Sequence, residues 1–296
     1  MAPQRTVLIT GSSDGGLGSA LALAFHAAGW RVFASARNTN KLNAMKATSI
    51  ETLSLDVSST ASLSAAVSQI SSLTNGTLDA LVNNAGSGYS MPLIDIDISA
   101  AKSVFDLNVW SVIATTQAFL PLLLGSAKEG NKPMVINNTS IAAILPMPIQ
   151  SVYNSSKAAI ASMTDSLRME LAPFGIKVVD LRTGAVKTNF FKNIAGSDKA
   201  PHLPEGSIYG VARKEIESMM SGEGFFEQAE NAEDWAKNVV RDLSKKNTPN
   251  QVWRGMSAGM ARWAQNAPQG WLDGVMSKRA GLNAVEKGLK AQRGES

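Results

Sequence analysis

The sequence predicts a single doubly wound α/β domain built on one parallel sheet. Short β-branched or aliphatic runs alternate along the chain with longer helical patterns, as repeated strand–helix units require. Six such strands in regular alternation indicate the doubly wound arrangement. With 44% hydrophobic residues in a length of 296, the chain has enough apolar side chains for a substantial core.

The strands are predicted at residues 6–10, 31–36, 51–56, 80–83, 133–138 and 177–182. Between the third and fourth strands, Leu63, Val67 and Ile70 fall on one face of a helix. The stretch after Tyr153 has the same helical period. The alternation therefore covers the first part of the chain without interruption.

After Thr188 the alternation gives way to a long segment rich in Gly, Pro, Phe and Met. We predict a lid at about residues 188–230, because such excursions are usually functional or disordered and the apolar content argues against disorder. A catalytic domain is then expected at residues 1–253 and a helical extension with a polar tail at 254–296. The apolar lid residues are expected either to line a substrate site or to join the core: Phe190, Phe191, Met219, Met220, Phe225 and Phe226.

Composition and charge exclude several classes of function. The net charge of +4 comes from scattered Lys and Arg residues, so no nucleic-acid partner is expected. The chain has no cysteine, and its two histidines, His26 and His202, belong to different predicted elements. We therefore expect no metal site.

The N-terminus and the hydropathy pattern predict a cytoplasmic protein. The first strand begins at Thr6, which leaves no room for a signal peptide. No apolar run approaches the ~20 residues that span a bilayer, and membrane attachment is not expected. Trp253, Trp263 and Trp271 near the C-terminus are expected to serve packing or a subunit interface, with lipid contact as the alternative.

A glycine-rich loop, TGSSDGGLG at residues 10–18, follows the first strand directly and leads into a helix of Ala and Leu. This order of strand, loop and helix is typical of the dinucleotide-binding loop of a Rossmann domain. Glycines let the backbone approach a pyrophosphate, and a helix that begins near Gly16 offers free N–H groups to the phosphates. An ordinary tight turn is the alternative.

The end of the second strand favours NADP(H) over NAD(H). An acidic residue there would hold the ribose hydroxyls of NAD, but the sequence has Arg37, which can form charge-assisted hydrogen bonds to a 2′-phosphate. Asp14 in the glycine loop counts against a nearby phosphate. A solvated surface charge is the alternative role for Arg37.

Tyr153 is followed four residues later by Lys157, and Ser140 lies thirteen residues upstream of the tyrosine. On a helix the side chains of Tyr153 and Lys157 share a face, so the Lys157 ammonium is expected to favour the tyrosinate form. A free tyrosine has a pKa of about 10, which must fall by about 3 for proton transfer near neutral pH. We predict Tyr153 as the general acid and Ser140 as a donor to the substrate oxygen. An amphipathic pair and a strand-end cap are the plainer alternatives.

The glycine loop, the Asn-Asn-Ala-Gly at residues 83–86, Asn108, Ser140 and the Tyr153 to Lys157 pair occur in the order of one known family. Over residues 5 to about 190 the chain resembles a short-chain dehydrogenase/reductase, and it is similar to the fungal subgroup of 1-acyldihydroxyacetone-phosphate reductases. The loop is one residue longer than the family's usual spacing, so Gly11, Gly16 and Gly18 are the best equivalents.

The resemblance assigns cofactor contacts to residues in the loop and at the strand ends: Ser13, Leu17, Asp56, Val57, Asn84, Val186 and Thr188. Within this set Asp56 is expected near the adenine and Asn84 near the adenosine ribose. Lys157 is expected to bind the nicotinamide ribose as well. Asn108 resembles the residue that holds a water between the lysine and solvent, with a structural helix residue as the alternative. A homodimer or homotetramer is implied by the same resemblance.

These features together predict an NADPH-dependent reductase that converts a ketone of an apolar lipid or specialised metabolite, such as a polyketide or terpenoid, to a secondary alcohol, or the reverse. A phosphorylated lipid stays open because of four cations near the lid: Lys187, Lys192, Arg213 and Lys214. Two alternatives are an NADP(H)-binding sensor without turnover and a cofactor-assisted isomerase or cyclase.

Overall fold

The computed structural model describes residues 4–190, 201–222 and 229–294. Its strands are β1 (Thr6–Ile9), β2 (Arg31–Ala36), β3 (Glu51–Ser54), β4 (Ala80–Asn83), β5 (Met134–Asn138), β6 (Lys177–Thr183), β7 (Val186–Lys187), β8 (Glu230–Asn231) and β9 (Gln251–Arg254). Seven of them form one parallel sheet in the order β3-β2-β1-β4-β5-β6-β9, and β7 pairs with β8. The predicted fold class is confirmed.

The helices are α1 (Leu17–Ala27), α2 (Asn43–Ala47), α3 (Thr60–Thr74), α4 (Ile98–Phe105), α5 (Ser111–Lys128), α6 (Ser151–Leu171), α7 (Arg213–Ser221), α8 (Ala232–Leu243), α9 (Ala258–Ala264), α10 (Asp273–Arg279) and α11 (Leu282–Arg293). A π-helical turn, Asp106–Trp110, joins α4 to α5. Helices α1 and α8 cover one face of the sheet, and α3, α5 and α6 cover the other.

The side chains of β1 show how both faces are filled. Val7 and Ile9 belong to the cluster under α1 and α8, and Leu8 belongs to the cluster under α3, α5 and α6. Successive strand residues point to opposite faces, so an apolar run supplies both layers. Trp235 of α8 and Phe119 of α5 are fully buried, one on each side. The parallel strands are therefore fixed from both faces, and their carboxyl ends share one edge.

The six predicted strands are present, with ends that differ by two residues at most. The seventh strand of the sheet, β9, was not predicted. Its four residues include one fully buried aliphatic side chain, Val252, and their pattern does not stand out from the surrounding polar sequence. The strand forms because its backbone pairs with β6, where Leu181 lies opposite Val252.

The helix from α4 through α5, Ile98–Lys128, is long and apolar enough to cross a membrane, with a mean hydropathy of 1.5 in its most apolar window. The sequence predicts no such segment, because no apolar run approaches ~20 residues. Half of that window is buried in the protein, where α5 packs against α3 and the sheet. A buried core helix passes the same test of length and composition.

The residues after β9 pack around the loop that follows β5. Met276 of α10 and Ala261 of α9 form a buried cluster with Leu145, and Ala280 packs with Ile149 in a second cluster under α7. The C-terminal helices therefore form one wall of the region beyond β5. The boundary at residue 253 stays a prediction.

Candidate active site

The carboxyl ends of the parallel strands open into one cleft of about 1410 Å³. Most of the predicted site residues line it: Gly11, Ser13, Gly16, Leu17, Arg37, Asp56, Val57, Asn84, Ser140, Tyr153, Lys157, Val186 and Thr188. Gly18 and Asn108 lie behind this lining, where each supports a residue that faces the cleft. Predicted site residues up to 177 positions apart in the sequence, Gly11 and Thr188, therefore meet at one edge of the sheet.

The glycine loop can pack this closely against the chain after β4 and against itself only because its glycines lack side chains. Gly11 has a φ of +70°, and a Cβ there would lie 2.8 Å from the Ala85 Cα. At Gly18 a Cβ would lie 2.4 Å from the Gly11 carbonyl oxygen. Gly16 caps α1 without a side-chain hydrogen bond, and no acidic residue occupies the first turn. The α1 N-terminus therefore offers free N–H groups to the cleft, which fits a pyrophosphate.

The end of β2 places two cations, Arg37 and Lys41, on the cleft. Lys41 was not predicted; it reaches the cleft because the Asn38 side chain accepts the Asn40 N–H at 2.9 Å and turns the chain back. The Asp14 carboxylate accepts the N–H groups of Asn43 and Ala44, at 2.9 and 3.1 Å. Because Asp14 is engaged with the start of α2, it opposes a phosphate less than the sequence suggested.

Two asparagines, Asn84 and Asn138, connect the glycine loop to Lys157. The Asn84 amide donates to the carbonyls of Thr10 and Gly11, at 2.8 and 3.1 Å. Its oxygen accepts from the Asn138 amide at 2.9 Å. The main-chain carbonyl of Asn138 accepts from Lys157 Nζ at 2.9 Å. The lysine is thus held at a fixed position relative to the nucleotide loop.

Asn138 was not among the predicted site residues. Its side-chain oxygen also accepts from Thr183 Oγ1 at 2.6 Å, so it joins the ends of β5 and β6. An amide at the end of a buried strand and two residues before Ser140 was a signal in the sequence.

Ser140 and Tyr153 both line the cleft, with a hydrogen bond between their side chains. Ser140 also caps the turn Ile141–Ala143, because its Oγ accepts the Ala142 N–H at 3.1 Å. The cap uses an acceptor position and leaves the hydroxyl proton free to donate. The cap that the sequence offered as the plainer role is therefore present, and the role of Ser140 as a donor to the substrate oxygen stays a prediction. The Tyr153 ring meets Phe190 edge to face, with 5.7 Å between centroids.

Burial dominates the pKa values of the two titratable residues. It raises the pKa of the Tyr153 phenol above its ordinary value, and the hydrogen bond with Ser140 offsets this only in part. The predicted direction was the opposite. Lys157 Nζ lies 5.9 Å from the centre of the Tyr153 ring. It donates its hydrogen bond to the Asn138 carbonyl. Burial also lowers the pKa of Lys157 to about 8, against the opposing effect of Asp180.

Asn108 lies in the π-helical turn and is almost fully buried. Its amide oxygen accepts the Ser87 N–H at 2.9 Å, and its amide nitrogen donates to the Ser87 carbonyl and to Ser156 Oγ, at 2.9 and 3.1 Å. The side chain therefore clamps the loop after β4 to α6, one residue from Lys157. Its part in a water relay stays a prediction.

A buried acid and base, Asp180 and Arg182, support the site from β6. The Asp180 carboxylate accepts from the Thr139 hydroxyl and from Arg182 Nε. Thr139 directly precedes Ser140, so the Asp180 carboxylate helps to fix the backbone that carries the Ser140 hydroxyl. Asp180 is also the charge that opposes the loss of the Lys157 proton. Neither residue was predicted, since an acid and a base two positions apart in a strand carry no sequence signal of burial.

The lid residues divide between the cleft and the core. Phe190 lines the cleft. Met219 and Met220 instead pack in the cluster beneath α7 with Ile216. Phe191, Phe225 and Phe226 lie outside the described residues.

Comparison with known proteins defines the family. Residues 5–199 match the family model for short chain dehydrogenase. A short-chain dehydrogenase/reductase of Pestalotiopsis microspora, GME11361, is 44% identical over 287 residues, which cover 97% of this chain and 98% of that protein. The NADPH-dependent 1-acyldihydroxyacetone phosphate reductase of Schizosaccharomyces pombe is 38% identical over 216 residues, 73% of this chain and 71% of that protein.

The chain therefore belongs to the short-chain dehydrogenase/reductase family of oxidoreductases. Among solved structures, a short-chain dehydrogenase from Streptomyces avermitilis superimposes with a TM-score of 0.74 at 27% identity, covering 97% of this chain and 99% of the other. The predicted family and the prediction of an enzyme are both confirmed. The resemblance to the S. pombe reductase is also confirmed, at the level of sequence similarity.

The role of Asp180 predicts a change in the pH dependence of turnover. Asp180→Asn keeps an oxygen that can accept from Thr139, but it removes the charge that supports the Lys157 ammonium and leaves Arg182 uncompensated. Both effects lower the Lys157 pKa below its present value of about 8. The alkaline fall of kcat/KM should therefore move to lower pH.

The matched control is Asp165→Asn, which removes a half-exposed α6 carboxylate that is paired with Arg168 at 3.6 Å. This variant should leave the alkaline fall where it is. A profile that is unchanged in Asp180→Asn, or that moves to higher pH, would contradict the role of Asp180.

Proposed function

We propose that the protein is an NADPH-dependent reductase that converts the ketone of an apolar substrate to a secondary alcohol, or catalyses the reverse reaction. The observation that carries this proposal is the meeting of the Tyr153 phenol, the Ser140 hydroxyl and the Lys157 ammonium in the cleft that continues to the glycine loop. A ketone oxygen needs a proton donor and a hydrogen-bond donor at one point, and these residues supply them.

The cofactor is proposed to be NADP(H). Arg37 and Lys41 support this choice, because both cations face the cleft at the end of β2, where an acidic residue would favour NAD. The free N–H groups at the start of α1 would hold the pyrophosphate. The similarity to a reductase named as NADPH-dependent adds support.

When bound, NADPH supplies the hydride for the carbonyl carbon. The raised pKa of Tyr153 keeps its phenol protonated at neutral pH, so its hydroxyl can donate a proton to the ketone oxygen during reduction. Ser140 donates a hydrogen bond to the same oxygen, where negative charge develops. The acid therefore begins the reaction in its protonated form without a lowered pKa.

The proton lost by Tyr153 has to be replaced after each turnover. A pKa of about 8 lets Lys157 gain and lose a proton near neutral pH. We assign to its Nζ the return of a proton to Tyr153, with a water near Asn108 as the link to solvent. The hydrogen bond from Lys157 to the Asn138 carbonyl keeps the lysine in place during this exchange.

The substrate is proposed to be a lipid intermediate or a specialised metabolite of polyketide or terpenoid type. The cleft beyond Tyr153 is bounded by Leu145, Met147, Phe190 and Met276, and an apolar wall of this kind favours an apolar substrate. Methionine side chains also adapt to irregular shapes. The direction of the reaction depends on metabolite levels.

We also propose a homodimer or homotetramer in the cytoplasm. Ile98 and Trp110 on the α4–α5 helix and Met169 on α6 are large apolar side chains that lie exposed. These are the helices that carry Asn108 and Tyr153, and the family resemblance implies subunit contacts there. Exposed apolar residues of this size commonly mark an interface.

Tyr153→Phe tests the proton donor. The substitution removes the phenolic oxygen and keeps the ring against Phe190, so NADPH binding should be unchanged while kcat falls by about 10²- to 10⁴-fold. NADPH consumption is measured against a panel of apolar ketones, and cofactor affinity by fluorescence titration. Tyr209→Phe is the control, because Tyr209 packs under α7 away from the cleft. Turnover close to that of the unmodified chain in Tyr153→Phe would remove this residue from the acid role.

Arg37→Ala and Lys41→Ala test the preference for a 2′-phosphate. Each should raise the Kd for NADPH by about tenfold and leave the Kd for NADH unchanged, because an exposed charge-assisted contact is lost. Lys46→Ala on α2 removes an exposed cation outside the cleft and serves as the control. Equal affinity of the unmodified chain for NADPH and NADH, with no loss in Arg37→Ala, would refute the preference.

A further inference from the structure

Helix α10 contributes two side chains to the cleft, Met276 and Arg279. Met276 is buried and packs against Leu145, so this part of the cleft lies beyond the loop that carries Ser140. Arg279 follows nearly one turn later, and the next residue, Ala280, is fully buried against the cluster under α7. Because buried contacts hold the helix before and after Arg279, the position of its backbone at the cleft is fixed.

The distribution of charge along the cleft sets Arg279 apart. Among the described lining residues, four charged side chains belong to the nucleotide end: Asp14, Arg37, Lys41 and Asp56. Lys157 lies beside Tyr153 and donates to the Asn138 carbonyl, so it belongs to the proposed catalytic group. Arg279 is the charged side chain that remains, and within the described part of the chain it has no ion pair or side-chain hydrogen bond.

We propose that Arg279 recognises an anionic group, a carboxylate or a phosphate, on the substrate. A guanidinium is charged at every physiological pH and offers a planar fork that matches either group. Leu145 and Met147, which follow Ser140 on the loop after β5, line the same cleft with Met276, and this apolar wall would take the hydrocarbon part. The substrate class is therefore an amphipathic anion whose apolar body separates the ketone from the charge. The part of this statement that concerns the ketone rests on the proposed function.

The test measures binding directly and needs no turnover. Octanoate, octyl phosphate and the uncharged octanamide are titrated by calorimetry into the full chain preincubated with NADPH. The unmodified chain should bind at least one of the two anions more tightly than the amide. Arg279→Gln should weaken the binding of that anion by about threefold to tenfold and leave the amide unaffected, as expected for a contact at an exposed cation.

Two further variants make the result specific. Lys278→Gln removes the neighbouring exposed cation, which does not line the cleft, and should leave all three affinities unchanged. Arg279→Lys keeps the charge and should recover part of the anion preference. The anion that binds more tightly identifies the group as carboxylate or phosphate.

Equal binding of anion and amide by the unmodified chain would overturn the proposal. So would an Arg279→Gln variant with unchanged anion affinity, or the failure of all three ligands to bind. A chain that shows the anion preference but reduces no ketone would instead retain the role of Arg279 and remove the proposed reaction. The two claims are therefore separable.

Discussion

The hydrogen bond from Lys157 Nζ to the main-chain carbonyl of Asn138 is the contact on which the rest of the site depends. A buried ammonium is costly unless its hydrogen bonds are satisfied, and here burial has already lowered the Lys157 pKa to about 8. The Asn138 carbonyl gives the charged form a partner, and Asp180 provides the opposing charge. The side chain of Asn138 donates to Asn84, which in turn donates to the glycine loop. One asparagine thus couples Lys157 to the glycine loop at the other end of the cleft.

A second pair of amides supports this arrangement from inside the sheet. The Asn83 amide donates to Asn137 Oδ1 at 2.9 Å, and the Asn137 amide donates to Thr164 Oγ1 at 2.9 Å on α6. Hydrogen bonds between buried polar groups fix relative positions, because breaking one of them leaves a buried donor without a partner. Helix α6, which carries Tyr153 and Lys157, is therefore tied to the ends of β4 and β5 by specific hydrogen bonds as well as by apolar packing.

The sequence was sufficient for those features that depend on local pattern. Aliphatic runs predicted the six strands, and the short spacing from Tyr153 to Lys157 placed both residues on one face of α6. The features that it did not reveal depend on distant parts of the chain. Strand β9 forms by pairing with β6, and α10 reaches the cleft by packing on Leu145. The sequence also led to the wrong direction for the shift in the Tyr153 pKa, because burial is a property of the folded chain.

The most direct test of the account is a crystal structure of the full chain with NADP⁺ bound. The 2′-phosphate should lie between Arg37 and Lys41, and the nicotinamide ribose should lie against Lys157 Nζ. That nitrogen should keep its 2.9 Å hydrogen bond to the Asn138 carbonyl. A nicotinamide positioned away from Tyr153, or a lysine that leaves Asn138 to reach the cofactor, would contradict the coupling proposed here.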